Sequence, residues 1–414
     1  MSAKEGVLFI SCVPTVGDSG PVATWITCAS WAAAARSIWG EAWIITPEGL
    51  FLPEQAMTYA SRPALKSRSG RWWRPYLPEI AVVAQKDATE LTRALRFRHA
   101  LRGFSPVDGI VKFIWQHHDL FNNTGREMAR ALGCPLVLFV DAPIVWEDRR
   151  LGVRRPLWGK LIEVVGESPQ FRSADLVACV SDEVADEVCK RGASRDRVIV
   201  TPTGVDTHRF RPGVSGQRVR QETGLTGHFV VGWIGSFRPF HGLDLIVEAT
   251  SRLQNVIPGL GLLLVGDGQE RHRIQELARS AGLRPVCFTG TRPHSVVPEY
   301  VAAMDVAVVA SDREDGFHYA PIKLREYMAS ARAVVAPGIG EVRRLLTHEE
   351  NALLVPPADA AALARAIERL YRDELLRLEL GRAARAKVLA ISWEEQVRRV
   401  WRQLEGGADH GSER

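Results

Sequence analysis

Short apolar runs alternate with longer segments of helical spacing along most of the chain. Six runs in the first half are predicted to be strands, at residues 7–13, 42–46, 111–115, 135–140, 176–180 and 198–201. Residues 20–39 and 124–132 repeat their apolar positions every three or four residues, which predicts helices. Near-continuous apolar strands that alternate with helices are typical of a parallel sheet covered on both faces.

The same alternation starts again in the second half. Strands are predicted at residues 229–234, 260–265, 286–289, 306–310 and 333–336. Helices are predicted at residues 243–255, 269–281, 296–304, 324–330 and 360–372. We therefore predict an α/β protein with two Rossmann-like domains that face each other across a cleft, because such sheets bind ligands at the carboxyl ends of their strands.

The domain boundaries follow from a polar stretch rich in Gly, Arg and Thr near residues 204–224. The predicted N-terminal domain is 1–203, and the predicted C-terminal domain is 204–388. Residues 389–405 are predicted to form a helix that packs back on the first domain, and residues 406–414 a disordered tail.

Composition places the chain among globular proteins and narrows its partners. Of 414 residues, 46% are hydrophobic and 24% charged, which is enough to build packed cores. A net charge of +5 suits a phosphate-bearing substrate or an acidic membrane surface, but is too small to indicate nucleic acid. The six scattered cysteines show no metal-binding spacing, the N-terminal apolar run is too short for a signal peptide, and no apolar stretch reaches 18 residues. We expect a cytoplasmic protein without a spanning segment.

Residues 316–337 are the most informative segment, because they combine a glycine-containing loop, a helix start and a buried strand. The helix start gathers backbone N–H groups, and Lys323 adds a charge suited to a phosphate. Glu326 lies on the same face and can accept hydrogen bonds from paired ribose or sugar hydroxyls. Phosphate and hydroxyl recognition side by side suits a nucleotide sugar. The alternative is an ordinary surface pair of charges.

Three further loops follow predicted strands of the second half, at residues 235–242, 266–268 and 312–317. In the first loop, Gly235 lets the backbone approach a ligand, and Arg238 and His241 could contact a diphosphate. The second loop contains Gly266 and Asp267. Each loop alone can be explained as turn chemistry, but three loops aimed at one crevice favour a binding site.

The second half resembles the nucleotide-sugar-binding domain of the retaining GT-B glycosyltransferases of the family 4 or "group 1" type. The matching segments are GVDTHRFRP at 204–212, GSFRPFHGLD at 235–244, LLVGDGQE at 263–270, residues 288–311, PIKLREYMASARAVVAP at 321–337, EVRRLL at 341–346 and NALLVPPAD at 351–359. The first half resembles the same proteins less closely, through residues 17–21, 111–116 and 135–147.

The resemblance implies roles for individual residues. Glu326 matches the second of two glutamates in the family pattern and would hold the nucleotide ribose, whereas the first glutamate falls at His318. The usual arginine and lysine of the first phosphate loop fall at Ser236 and His241, so Arg238 and Lys323 would supply the positive charge. The remaining residues of the implied nucleotide-sugar site are Gly20, Gly235, Gly266, Asp267 and Leu324.

The chemistry implied by the resemblance is hexosyl transfer with retained anomeric configuration. Negative charge would grow on the leaving diphosphate, stabilised by the Gly235 loop, Arg238 and Lys323. A UDP- or GDP-linked sugar would be the donor substrate. No cofactor is expected, and no D-x-D pair holds a divalent ion, so a metal is not expected either.

The acceptor side is predicted on the first domain. Asp141 ends a strand, where many relatives carry a histidine that faces acceptor and donor, and we assign it a catalytic or acceptor-binding role or a turn-forming one. His118 could bind an acceptor hydroxyl, although a structural histidine is the alternative. The acceptor would be a saccharide or a lipid-linked saccharide. A peripheral membrane contact is predicted where cations mix with aromatic residues, or else an exposed loop, at Lys66, Arg68, Arg71, Trp72, Trp73, Arg74 and Tyr76.

Two other functions remain open on the sequence. The changes at Ser236, His241 and His318 would also fit a catalytically silent GT-B protein that acts as a partner or scaffold. A sugar-nucleotide epimerase of the same fold is the other alternative. Transfer in polysaccharide or glycolipid biosynthesis is the leading hypothesis.

Overall fold

The structure, a computed structural model, describes residues 5–12, 16–17, 20–21, 23–59, 78–101, 110–311 and 321–409. The chain divides into two compact units. Unit 1 combines Met1–Pro202 with Trp393–Arg414, and unit 2 is Thr203–Ser392.

Unit 1 is built on a seven-stranded sheet in the order β5-β4-β1-β6-β7-β8-β9. All neighbours pair in parallel except β4 and β5, and β2 and β3 form a separate antiparallel pair. The strands are β1 (Glu5–Ile10), β2 (Val16–Gly17), β3 (Gly20–Pro21), β4 (Gly40–Thr46), β5 (Gly49–Phe51), β6 (Ile110–His117), β7 (Leu136–Val140), β8 (Leu176–Cys179) and β9 (Val198–Val200).

Helices cover this sheet and one of them comes from the far end of the chain. The helices of unit 1 are α1 (Ala23–Trp39), α2 (Pro53–Tyr59), α3 (Glu79–Ala100), α4 (Thr124–Leu132), α5 (Ile144–Arg150), α6 (Gly159–Ile162), α7 (Ser168–Ser173), α8 (Asp182–Lys190) and α17 (Trp393–Asp409), with a π-helical turn at Glu163–Glu167 between α6 and α7. The ring of Trp393 lies 5.9 Å from that of Trp31 on α1, and Trp401 lies 5.7 Å from Trp39, so aromatic contacts fix α17 on this unit.

Unit 2 contains a six-stranded, fully parallel sheet in the order β12-β11-β10-β13-β14-β15. Its strands are β10 (Phe229–Ile234), β11 (Leu260–Val265), β12 (Val286–Phe288), β13 (Val306–Val308), β14 (Ala333–Pro337) and β15 (Leu353–Val355). Its helices are α9 (Gln217–Glu222), α10 (Leu243–Leu253), α11 (Arg271–Ser280), α12 (Val297–Ala302), α13 (Ile322–Ala329), α14 (Val342–Leu345), α15 (Ala360–Arg372) and α16 (Glu374–Val388).

The sequence explains why these elements form. Strands β7 and β11 are apolar throughout and every residue in them is buried, as expected for parallel strands covered on both faces. Helix starts are capped by side chains: Asp359 accepts a hydrogen bond from the Ala362 N–H, and Ser181 accepts one from Val184. Gly133 ends α4 in the left-handed conformation, with φ of 66°.

The α/β fold, with a parallel sheet in unit 2 and a sheet in unit 1 that is parallel except at β5, confirms the predicted fold class, with differences at element ends. The predicted helix 20–39 was too long, because Gly20 pairs with Gly17 in a short antiparallel ladder and α1 begins at Ala23. The edge strand β5 and the final strand β15 were not predicted. Helix α17 continues to Asp409, so residues 406–409, expected to be disordered, are helical.

Three further features concern the described ranges only. No helix there is long and apolar enough to cross a membrane. The same ranges hold no cluster of three or more His, Cys, Asp or Glu side chains arranged to hold a metal ion. All six cysteines lie within them and are free, and Cys12, Cys28 and Cys179 are buried.

Candidate functional site

The strand order of unit 2 creates a crevice beside β10. From β10 the chain proceeds to β11 and β12 on one side and then returns to β13 on the other. In open α/β sheets ligands bind at the carboxyl ends of the two strands where the order reverses, which here are β10 and β13. The loop at 235–242 follows β10, and α13 follows β13, so the two predicted donor-binding segments meet at this point.

Close backbone packing explains the glycines in this crevice. The Phe237 N–H donates to the Asp267 carbonyl oxygen at 2.9 Å, which joins the loops after β10 and β11. Gly266 has φ of 130°, and a Cβ atom there would clash with the Gly235 carbonyl oxygen. Only glycine at position 266 leaves the two loops this close.

Lys323 is the central charge of the crevice. Its Nζ atom lies 2.6 Å from where a Cβ atom on Gly235 would stand, and 4.1 Å from the centroid of the Trp233 ring. Desolvation lowers the pKa of Lys323 to about 7, although the nearby Glu326 charge acts in the opposite direction. In the described part of the chain, Lys323 has no carboxylate within ion-pair distance. This cation is therefore prepared for an anionic ligand.

Tyr327 fixes the position of Lys323. It lies one helical turn further along α13, is fully buried, and its hydroxyl oxygen accepts a hydrogen bond of 2.8 Å from the Ile234 N–H at the end of β10. The first turn of α13 is thus held against the end of the neighbouring strand. Leu324, predicted in the donor site, has its side chain in the hydrophobic core, so only its backbone can reach a ligand.

The predicted phosphate loop carries one cation rather than two. Burial, followed by the charges of Lys323 and Arg238, lowers the pKa of His241 to about 2, so its imidazole is neutral at physiological pH. His241 lies 5.6 Å from the Trp233 ring, edge to face. Arg238 and Ser236 are exposed in the same loop. Arg238, and not His241, can therefore carry positive charge to a diphosphate.

Glu326 is held by a histidine that the sequence analysis did not single out. The Glu326 carboxylate is 5% exposed, and its Oε1 atom accepts a hydrogen bond of 2.8 Å from Nε2 of His294. His294 lies in the segment after β12, and no sequence rule connects it to α13. The hydrogen bond orients a buried carboxylate one turn beyond Lys323, and recognition of ribose or sugar hydroxyls by Glu326 stays a prediction.

The remaining predicted donor residues are placed as follows. Asp267 pairs with Arg271 at 2.6 Å and accepts a hydrogen bond from the Gly268 N–H, so its carboxylate organises the loop after β11. His318 and residues 312–317 lie outside the described residues. Gly20 lies in β3 of unit 1, where only its backbone pairing with Gly17 is described.

Unit 1 has a corresponding crevice between β1 and β6, where its strand order reverses. His117, the last residue of β6, lies between two carboxylates there. Its Nδ1 atom is 3.1 Å from Oδ1 of Asp119, and its Nε2 atom is 3.0 Å from Oδ2 of Asp141. The Cys12 N–H, after β1, donates to Asp119 at 2.8 Å. Side chains from the ends of β6 and β7, together with a backbone N–H after β1, thus form one acid–histidine–acid cluster.

The cluster keeps His117 protonated. Burial alone would lower its pKa, but the hydrogen bonds to Asp119 and Asp141, together with their charges, raise the pKa of His117 to about 10. Asp119 is buried, whereas the Asp141 side chain is 45% exposed. Asp141 is therefore the member of the cluster that a ligand can reach, and the imidazolium fixes its orientation.

His118 adopts the structural alternative of the sequence analysis. It is 2% exposed, and its ring nitrogens lie 3.2 Å from Oε1 of Glu167 and 3.2 Å from Oε1 of Gln170. Both polar atoms of the ring are used inside the unit, which contradicts an acceptor contact. His117, its neighbour in sequence, is the histidine at the strand end.

The comparisons with known proteins agree with this architecture. Residues 228–373 match the family described as Glycosyl transferases group 1, and residues 89–209 match Glycosyltransferase Family 4. A D-inositol 3-phosphate glycosyltransferase of Pseudarthrobacter chlorophenolicus is 30% identical over 68% of this chain and 67% of that protein. A GDP-mannose-dependent alpha-mannosyltransferase of Mycobacterium tuberculosis is 28% identical over 72% of each chain. The chain spans 64% of the length of the D-inositol 3-phosphate glycosyltransferase of Acidothermus cellulolyticus, at 32% identity.

Solved structures share the whole fold at low identity. HepE of Anabaena in complex with UDP has a TM-score of 0.68 at 18% identity, and the match covers 97% of this chain and 100% of that chain. Sucrose-phosphate synthase of Thermosynechococcus elongatus has a TM-score of 0.68 at 20% identity, covering 97% and 99%. The fold is therefore GT-B, and the chain belongs to the family 4, or group 1, glycosyltransferases.

Proposed function

We propose that this chain is a retaining, metal-independent hexosyltransferase that moves a sugar from a UDP- or GDP-linked donor to a saccharide or lipid-linked acceptor. The observation that carries the proposal is Lys323, a desolvated ammonium group held beside Gly235 where the strand order of unit 2 reverses. The relatives support the donor class, since one is a GDP-mannose-dependent mannosyltransferase and the HepE structures contain UDP or UDP-glucose.

The donor diphosphate would lie between the loop after β10 and the start of α13. Lys323 and Arg238 supply positive charge to it, and the orphan N–H groups at the helix start add their dipoles. Glu326, oriented by His294, would accept hydrogen bonds from the ribose hydroxyls. The cations of the crevice would therefore bind the diphosphate, and the Glu326 carboxylate would bind the ribose.

The reaction needs charge stabilisation more than a metal or cofactor. As the bond from the anomeric carbon to the diphosphate oxygen breaks, the acceptor hydroxyl forms a bond to that carbon on the same face, and its proton passes to the leaving phosphate oxygen. Fixed cations aimed at the growing negative charge lower this barrier. Lys323, with a pKa of about 7, becomes fully protonated as that charge develops.

Unit 1 would orient the acceptor. Asp141, held by the His117 imidazolium, offers a half-exposed carboxylate that can accept hydrogen bonds from sugar hydroxyls. The role agrees with the predicted position of Asp141, but the histidine that supports it comes from the neighbouring strand.

A catalytically silent partner protein is the second candidate, because His241 is neutral and Ser236 carries no charge. Both replace cations of the family pattern. This candidate predicts nucleotide binding without sugar turnover. An epimerase would instead convert a free nucleotide sugar without any acceptor.

A thermal-shift panel of UDP, GDP, ADP and their sugars tests the donor assignment. We expect either UDP or GDP to raise the melting temperature, since a ligand at about a hundred times its Kd adds roughly 2.7 kcal/mol of stability. ADP should have a smaller effect than the preferred nucleotide. No shift with any nucleotide would contradict the proposal, and a shift without slow hydrolysis or transfer of the donor sugar would favour the silent partner.

Peripheral contact with an anionic membrane is part of the proposal. The predicted contact at Lys66–Tyr76 lies outside the described residues and stays a prediction. A second surface supports the same contact: Leu157, in the turn before α6, is 91% exposed and Leu161, on α6, is 60% exposed, near the exposed side chains of Arg149 and Lys160. Arg149, Lys160 and Arg191 share the buried Glu163 carboxylate, so cations outnumber the carboxylate at this point.

Vesicle sedimentation tests this surface. We expect phosphatidylglycerol vesicles to sediment the protein, and phosphatidylcholine vesicles to sediment little of it. Leu157→Glu with Leu161→Glu should reduce the bound fraction several-fold. The control is Leu375→Glu with Leu378→Glu, which changes exposed leucines of unit 2, 73% and 44% exposed, and should have no effect. Equal sedimentation of the two double variants would contradict the assignment.

A further inference from the structure

A cavity of about 820 Å³ lies in unit 1 between α3 and the turn that connects β4 to β5. Side chains of α3 spaced three or four residues apart form one wall, and residues 46–50 form the other. The volume lies within the range of sites that enclose small organic ligands. The mechanism proposed above leaves this cavity without a role.

The cavity combines an apolar floor with cations. Phe97 and Ile45 are buried at its base, and Leu50 is 45% exposed on the opposite wall. Arg93 and Arg96 line it from α3, and neither guanidinium forms an ion pair with any carboxylate in the described ranges.

Arg98 on the same helix provides the contrast. It lies outside the cavity lining and pairs with Glu127, with Nε to Oε2 at 2.9 Å. Among the described residues of the lining, Glu48 is the single acidic side chain against Arg93 and Arg96, so this part of the lining has a net positive charge. A basic face of α3 that the sequence alone would assign to solvent is thus partly directed into a cavity.

The cavity and the acid–histidine–acid cluster both lie at the carboxyl ends of the strands of unit 1. Thr46, the last residue of β4, lines it, and β4 is the neighbour of β1. The charges of Arg93 and Glu48 act on the Cys12 thiol, while the Cys12 N–H donates to Asp119. A ligand in the cavity would therefore approach the cluster from the side of Cys12 and Asp119, whereas Asp141 follows β7, the third strand from β4.

We propose that this cavity binds the acceptor and that the acceptor is an amphipathic phosphate. Arg93 and Arg96 would bind its phosphate, and the hydrocarbon next to the phosphate would lie against Phe97 and Leu50. The inference rests on the proposed transferase function and specifies its acceptor. A glycerophospholipid and a polyprenyl-linked sugar phosphate share this chemistry, and in each the group beyond the phosphate would carry the hydroxyl that accepts the hexosyl group.

Binding of short soluble probes tests the proposal. We expect dodecyl phosphate, below its micellar concentration, to bind the wild type, and dodecanol or inorganic phosphate to bind at least about tenfold more weakly, because each lacks one half of the recognition. Farnesyl phosphate and dihexanoyl phosphatidic acid, compared in the same titration, identify the polyprenyl or glycerolipid source by the tighter binding.

Variants of the cavity lining, with Arg98→Met as the control, test whether dodecyl phosphate binds in the cavity. Arg93→Met and Arg96→Met should each weaken dodecyl phosphate about tenfold or more, whereas Arg98→Met should not. Ala88→Trp, which fills the cavity, should remove dodecyl phosphate binding and leave UDP or GDP binding unchanged.

Different results would overturn the proposed function and the cavity assignment. Absence of UDP and GDP binding would overturn the proposed function. Nucleotide binding without dodecyl phosphate binding, or dodecyl phosphate binding that Arg93→Met, Arg96→Met and Ala88→Trp leave intact, would overturn the cavity assignment alone.

Discussion

Lys323→Met should reduce sugar transfer and nucleotide affinity by at least about 100-fold, because it removes a desolvated cation aimed at the leaving diphosphate. Nothing else in the described crevice replaces it: His241 is neutral, and Arg238 is exposed to water, which screens its charge. The loss is measured by calorimetric titration with UDP or GDP and by turnover of the donor sugar that binds.

The same substitution should make the free protein more stable by about 1–2 kcal/mol, since a methionine carries no desolvation cost in this environment. Between pH 7 and the pKa of an exposed lysine, the native wild type binds fewer protons at position 323 than the unfolded chain does. Its stability should therefore rise with pH across this window relative to the variant.

Lys387→Met, at an exposed position of α16, is the matched control and should change neither binding nor stability. A Lys323→Met variant that is less stable and binds nucleotide normally would show that Lys323 supports the fold only.

Glu326→Ala should weaken binding of the preferred nucleoside diphosphate about 10- to 100-fold, through loss of charge-assisted hydrogen bonds to the ribose. The comparison with a 2′,3′-dideoxy nucleotide isolates this contact. The dideoxy ligand should bind wild type and variant with nearly equal affinity, because it has no ribose hydroxyls to offer the carboxylate. Calorimetry on the four combinations gives the coupling between residue and hydroxyls.

A variant of His294, which holds the Glu326 carboxylate, gives a second test of the role of Glu326. His294→Ala should weaken the normal nucleotide by less than Glu326→Ala does, because it loosens the carboxylate without removing it. A Glu326→Ala variant that loses the normal and the dideoxy nucleotide equally would assign Glu326 to the structure of the crevice and not to the ribose.

The sheets could be predicted from sequence because both consist of strongly apolar strands. The predicted bounds of β10 and β11 coincide with the observed ones. The short edge strands β5 and β15 escaped prediction, since three residues do not establish a period. The sequence predicted a basic helix at 93–102, which overlaps the second half of α3, but the first half from Glu79 was not predicted.

The residues of the candidate site, too, could be predicted only in part from the sequence. Lys323 and Glu326 could be predicted because both lie on one short helix, whose geometry fixes their relation. The sequence analysis named His118 as the acceptor candidate, whereas His117 meets Asp141, because side chains of adjacent residues point in opposite directions and only the folded sheet shows which one faces the cluster. His294 reaches Glu326 across 32 residues of sequence, a contact that only the folded sheet creates.

Calorimetric titration with UDP and GDP at pH 8, in two buffers of different ionisation enthalpy, tests whether a donor diphosphate binds at Lys323. Lys323, with a pKa of about 7, is mostly deprotonated there in the free protein, and a bound diphosphate would raise its pKa. We expect one of the two nucleotides to bind with uptake of most of one proton, and Lys323→Met to show no uptake. Absence of binding, or binding with the same proton balance in both proteins, would contradict a donor diphosphate at Lys323.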